Sequence, residues 1–183
     1  LNLFIALSFF DMYRYWEARN KRVVYRVFLW ISLGVLTKGP IAILVPLVSG
    51  FVFFSLQKDL KLFLRAVFDP IGWAVLLLLV APWYAAILLD QGQAFVDGFL
   101  LKHNIGRFAE TLEGHGGSIF YYVPIIFLLL LPFSGLFVPL CSRFSLKKMS
   151  SLEQYCYVTF GCVFIFFSLS STQLPHYLLY GFT

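Results

Sequence analysis

Charge is what this chain has little of. Charged residues occupy 13% of its 183 positions, against roughly a quarter in a soluble domain. With 60% hydrophobic residues and a mean hydropathy of +0.83, that scarcity excludes a water-soluble globular domain. Apolar runs near the about 20 residues that carry a helix across a bilayer recur along the sequence. Acidic residues are scarcer still: nine Asp and Glu stand against 14 Lys and Arg, for a net charge of +5. The cations fall in short stretches between apolar runs, so the excess is not the footprint of a nucleic-acid-binding surface. Cysteine is scarce too. Cys141, Cys156 and Cys162 lie at the edge of or within apolar runs, without metal-ligand spacing, which excludes a disulfide framework. The chain lacks an initial Met, a charged leader and a cleavage site, and both of its ends fall in apolar sequence. The expectation is one membrane-embedded domain over residues 1–183, truncated at both ends.

What is present is a dense polar stretch at 102–117, between two apolar runs. It holds Lys102, His103, Arg107, Glu110, Glu113 and His115. A polar cluster of that density in so apolar a chain marks the place to look for chemistry, although a long solvated connector is the plainer alternative.

The apolar stretch 23–56 is too long for one span: as a helix it would measure about 50 Å, against about 30 Å of hydrocarbon. Lys38-Gly39-Pro40 divides it, because Pro removes a backbone donor and Gly permits a turn, so two short helices are expected. Further spans are expected at 70–89, 118–140 and 155–169, with a last turn at 170–177. Phe95, Val96, Phe99 and Leu100 recur at helical spacing and predict a short amphipathic helix at the interface. The fold class is therefore all-α: a multi-pass membrane protein with a long outer-face loop carrying an interfacial helix.

Cation placement fixes a topology for this map. The basic stretches 11–26, 57–69 and 141–153 hold 11 of the 14 Lys and Arg residues and share one side, which the positive-inside rule makes cytoplasmic. Lys38, Lys102, Arg107 and the turn with His176 and Tyr177 then gather on the opposite face. Lys38 sits between two apolar runs, where an ionisable residue costs a few kcal/mol; a lysine that only snorkels to the interface is the alternative.

Five motifs occur in order: Leu36-Thr37-Lys38-Gly39-Pro40-Ile41-Ala42; Ala81-Pro82-Trp83-Tyr84; Asn104-Ile105-Gly106-Arg107-Phe108; Glu113-Gly114-His115-Gly116-Gly117 ahead of Tyr121-Tyr122; and Phe167-Ser168-Leu169-Ser170 leading to Leu174-Pro175-His176-Tyr177. The series resembles the membrane-embedded glycosyltransferases that use polyprenyl-phosphate sugars (GT-C type), in particular the aminoarabinose transferases of lipid A and their protein-mannosyltransferase-like relatives. The resemblance implies an inverting transfer of a sugar from a polyprenyl phosphate to a lipid or protein acceptor, at the outer face of the bacterial cytoplasmic membrane. It implies that Lys38 meets the donor phosphate, that Tyr177 lies at the lipid-facing end of the cavity, and that His115 helps hold a divalent metal, zinc in this branch. Lys102, Arg107 and His176 are further substrate-binding candidates from charge and position. The family's catalytic acidic residue would lie upstream of Leu1, so no catalytic residue is expected within the chain, and no transfer by the chain alone. Where the family carries a lysine before Leu-Pro-x-Tyr, this chain has Gln173, which leaves the sugar open.

A transporter or flippase for a lipid-linked substrate is the alternative, since broken helices and charged residues within spans mark that class too. It predicts an internal repeat and polar groups at the midplane, and the sequence has neither. Trp83, Tyr84, Tyr121 and Tyr122 are expected in the aromatic belt at the outer interface.

Overall fold

The computed structural model describes residues 1–99, 120–136, 139, 149–171 and 173–181. All regular structure among them is helical: α1 (Asn2–Ala18), α2 (Lys21–Lys38), α3 (Ile41–Leu56), α4 (Leu60–Val67), α5 (Pro70–Gln91), α6 (Gln93–Phe95), α7 (Tyr122–Leu129) and α8 (Ser151–Ser168), with 3₁₀ turns at Phe133–Leu136 and Pro175–Gly181.

Local chemistry sets the boundaries. The Asn20 side chain caps α2 by accepting from Arg22 N, and Asp69 caps α5 by accepting from Gly72 N ahead of Pro70 at the first helical position. Ser150 and Glu153 close a reciprocal capping box on α8. Between α2 and α3 the chain turns at Gly39, whose φ of +88° is open to glycine and strained for other residues. Pro40 then leads into α3. The predicted break at Lys38-Gly39-Pro40 is therefore where the helices part.

Two basic stretches differ from their expected form. Residues 11–26 are not a loop. α1 runs through to Ala18, α2 starts at Lys21, and the corner is only Arg19 and Asn20. Asp11 is helical and buried, because it accepts from Trp30 Nε1 at 2.8 Å and pairs with Arg26 Nε at 3.1 Å. Within 57–69 lies α4, whose Phe63 is buried while Lys61 and Arg65 face outward. Leu60, Phe63, Leu64 and Val67, at helical spacing, carried that signal.

α1 packs on α2, α2 on α5, and α3 on α8. Between α1, α3 and α8 sits an aromatic core. The Tyr155 hydroxyl donates to Phe9 O at 2.8 Å, and its ring lies 4.7 Å from that of Phe53 and 5.3 Å from that of Tyr13.

Among the described residues one helix, α5, is long and apolar enough to cross a membrane; α3 is apolar but shorter. Within its described part the expected 118–140 span is helical over α7 and again in the 3₁₀ turn Phe133–Leu136 and at Pro139. α5 is no core helix: 11% of its apolar window is buried, and Leu78 and Leu89 are 76% and 89% exposed. An apolar surface that large calls for lipid or another segment against it. Beyond α5 the helical path resumes at α6 and 96–99, where Phe95 and Phe99 stack at 5.1 Å and both rings meet Tyr84. That is the predicted short helix after α5, up to Leu100, which lies outside the described residues.

Candidate functional site

Lys38 is the last residue of α2, where the carbonyl end of the helix favours a cation. The 3₁₀ turn Pro175–Gly181, at the far end of the sequence, packs over α8 and reaches it. Lys38 Nζ donates to the Tyr180 hydroxyl at 3.3 Å, and it stands 4.9 Å from the ring centre of Tyr177 and 6.0 Å from that of Tyr180. In a 3₁₀ turn, side chains three residues apart eclipse. The Tyr177 and Tyr180 rings accordingly lie nearly parallel, 6.2 Å apart and 21° from coplanar. Phe167 of α8 backs both, at 4.8 and 5.5 Å.

The turn is anchored from below by Tyr122, which is fully buried. Its hydroxyl donates to Leu174 O at 3.0 Å and accepts from Leu174 N at 3.1 Å. Gln173 Nε2 donates to Ser168 O at 3.1 Å, while Gln173 Oε1 and Ser168 Oγ are buried without hydrogen-bond partners among the described residues. Burial pushes the Tyr180 phenol up to about 12, so it meets Lys38 as a neutral hydroxyl. The arrangement is a half-buried ammonium laid against two aromatic faces and one phenol oxygen. Neutral rings orient the ammonium without adding a charge of their own.

Of the sequence-predicted residues, the structure brings Lys38 and Tyr177 together. His176 lies in the same turn by its backbone, and its side chain is outside the described residues, as are Lys102, Arg107 and His115. Among the described residues no three His, Cys, Asp or Glu side chains come together as a metal would require. Two site residues were missed. Tyr180 could have been found from its spacing of three after Tyr177. Tyr122, assigned to the aromatic belt, is instead a buried anchor, because its hydroxyl finds both backbone partners at Leu174. Trp83 does stay exposed, at 55%.

No family model matches the chain. Curated relatives do. The undecaprenyl phosphate-alpha-4-amino-4-deoxy-L-arabinose arabinosyl transferase of Yersinia enterocolitica serotype O:8 / biotype 1B is 28% identical over 98% of this chain and 33% of its own length. Its namesake in Yersinia pestis (strain Pestoides F) is 30% identical over 81% of this chain and 26% of its own. Among solved structures, ArnT from Cupriavidus metallidurans bound to undecaprenyl phosphate superposes with a TM-score of 0.74 at 23% identity, over 86% of this chain and 28% of that one. Its apo state superposes with a TM-score of 0.73 at 22% identity, over 90% and 28%. The chain thus has the all-helical fold of the matching part of that protein. It spans about a third or less of the length of these relatives, and over most of its own length it is homologous to the ArnT-like aminoarabinose transferases of the GT-C type.

Proposed function

We propose that this chain carries the donor-phosphate half of an inverting glycosyltransferase, acting in the bacterial inner membrane at its outer face on a polyprenyl-phosphate sugar, with a lipid or protein acceptor such as lipid A. The observation that carries the reading is the placement of Lys38 over Tyr177 and Tyr180, in a fold matching one whose crystal structure holds undecaprenyl phosphate. An acceptor oxygen attacks the anomeric carbon from the face opposite the phosphate. The bond from that carbon to the phosphate oxygen breaks, and its electron pair leaves with the polyprenyl phosphate. The acceptor's proton goes to a base other than Lys38, Tyr177 and Tyr180. Negative charge grows on the leaving phosphate as the bond breaks, so a cation preorganised beside it stabilises the transition state more than the ground state.

In the same reading α5 spans the bilayer, with α2, α3, α7 and α8 packed as further membrane helices. The α1–α2 corner and α4 face the cytoplasm, and Lys102, Arg107 and His176 add contacts to phosphate or acceptor. His115 would serve as one ligand of a divalent metal, which would supply positive charge at the site.

The test is sugar transfer in membranes of cells with the chromosomal locus changed, compared at equal abundance of the protein. Lys38→Met is expected to insert normally and to lose about 10²-fold or more in rate, the scale of one lost charge-stabilising group. Lys38→Arg is expected to recover part of it, because a planar fork does not replace a compact ammonium. Near-normal transfer by Lys38→Met ends the assignment.

A further inference from the structure

We infer that Tyr180 is a positioning residue for Lys38: its phenol oxygen fixes the ammonium where the donor phosphate leaves. The inference rests on the donor-phosphate reading of Lys38. A lysine side chain has a long, flexible stem, so an untethered ammonium samples many positions. The Tyr180 hydroxyl, 3.3 Å from Nζ, supplies an acceptor with no charge of its own. Burial keeps that phenol protonated at neutral pH, so the contact does not turn into an ion pair.

The acceptor is itself held. Tyr180 is 3% exposed, and its ring rests 5.5 Å from Phe167 and 6.2 Å from Tyr177. The next residue, Gly181, lies flush on α8: a Cβ there would come within 3.2 Å of Val163 Cβ and 3.3 Å of Phe160 Cα. A larger residue at 181 would require the turn or α8 to give by a few tenths of an ångström. Tyr177 brings its ring centre nearer to Nζ, 4.9 Å against 6.0 Å, while the Tyr180 hydroxyl accepts the hydrogen bond from it. One ring supports the cation and the other residue's oxygen sets its position.

The experiment is a double-mutant cycle on sugar transfer in membranes, at equal protein abundance. Tyr180→Phe keeps the ring and removes the acceptor. Its rate at saturating donor is expected to fall about tenfold with KM for the donor little changed, the scale of one hydrogen bond to a charged group. In the Lys38→Met background, Tyr180→Phe is expected to cost nothing further, because its effect passes through the ammonium. A purely structural tyrosine would lower the rate by the same factor in both backgrounds. Losses that multiply, or a Tyr180→Phe enzyme at the wild-type rate beside an inactive Lys38→Met, overturn the inference and leave the phosphate reading standing. Full activity in Lys38→Met overturns both.

Discussion

The two ends of α2 handle positive charge in opposite ways. At the start of the helix, Arg19 of the corner meets Asp59 at 2.6 Å, and Trp16 donates to the same carboxylate oxygen at 3.0 Å. One turn in, Arg26 and Trp30 converge on Asp11 in the same pattern. About 25 Å away along the helix, Lys38 is met by Tyr177 and Tyr180. The ingredients, a cation and large aromatic side chains, are shared; among the described residues a carboxylate sits between them at the first end, and two rings and a phenol oxygen meet the cation at the second. With a carboxylate, the indole N–H and the guanidinium both donate to one oxygen, and the result is a neutral brace between helices. At Lys38 the Tyr177 and Tyr180 rings and the Tyr180 oxygen orient the cation. The first arrangement holds α1, α2 and the α3–α4 connection together. The second suits a group that must respond to a ligand's charge.

The sharpest way to break the comparison is to take the aromatic platform from the Lys38 end. Tyr122→Ala removes a fully buried side chain and both of its bonds to Leu174. It is expected to cost about 3–5 kcal/mol, the range for large aromatics cut to alanine. Tyr122→Phe, which strands only the Leu174 groups, is expected to cost about 1–3 kcal/mol. Thermal unfolding of the purified protein in detergent reads both. Equal stability for Tyr122→Ala and the wild type would mean that the turn under Lys38 is held by something else.

A smaller loss is expected at the braced end. Asp11→Ala leaves Trp30 Nε1 without its acceptor and Arg26 without its partner. Asp11 is buried, whereas the Arg26 side chain is 48% exposed and regains water. The expected cost is therefore that of one stranded polar group, about 1–3 kcal/mol. Sugar transfer per folded molecule is expected to stay near the wild-type level, in contrast to Lys38→Met. A loss of transfer as large as that of Lys38→Met would show that Asp11 takes part in the chemistry and is no mere brace.

Much of this contrast was legible in the sequence, and the part that was not has a physical cause. Lys38-Gly39-Pro40 carries its own turn chemistry, so the helix break could be placed to the residue. Tyr177 was reachable through the motif around it. In the sequence Asp11 is only one member of a basic stretch beside an apolar run, because charge scarcity makes every acid look like the edge of such a run. Its partners Arg26 and Trp30 lie on another helix, and helix pairing is not written in local pattern. Tyr122 sat beside Tyr121 in a tyrosine pair suited to an interface. Only tertiary packing tells the two apart: Tyr122 is buried and bonded to Leu174, and Tyr121 is half-buried. The long polar stretch with Lys102, Arg107 and His115 lies outside the described residues.

The smallest effect is expected at the outer half of the brace, and its pH dependence tests whether that carboxylate works as described. The hydrogen bond from Arg19, joined by one from Trp16, holds the Asp59 carboxyl below its usual range. A carboxyl depressed in the folded state adds stability that is complete above its unfolded value. That stability is lost as pH falls through the lower, folded value. The Arg19 and Asp59 side chains are 47% and 30% exposed, so solvent screens the pair, and Asp59→Asn is expected to cost only about 0.2–1 kcal/mol. The difference in unfolding temperature between Asp59→Asn and the wild type is expected to be present at pH 7, to shrink as the pH drops into the acid range, and to weaken in high salt. A difference that stays constant across both titrations would mean that Asp59 acts through shape, as the cap residue before α4, and not through charge. The two ends of α2 would then differ less in their electrostatics than the distances indicate.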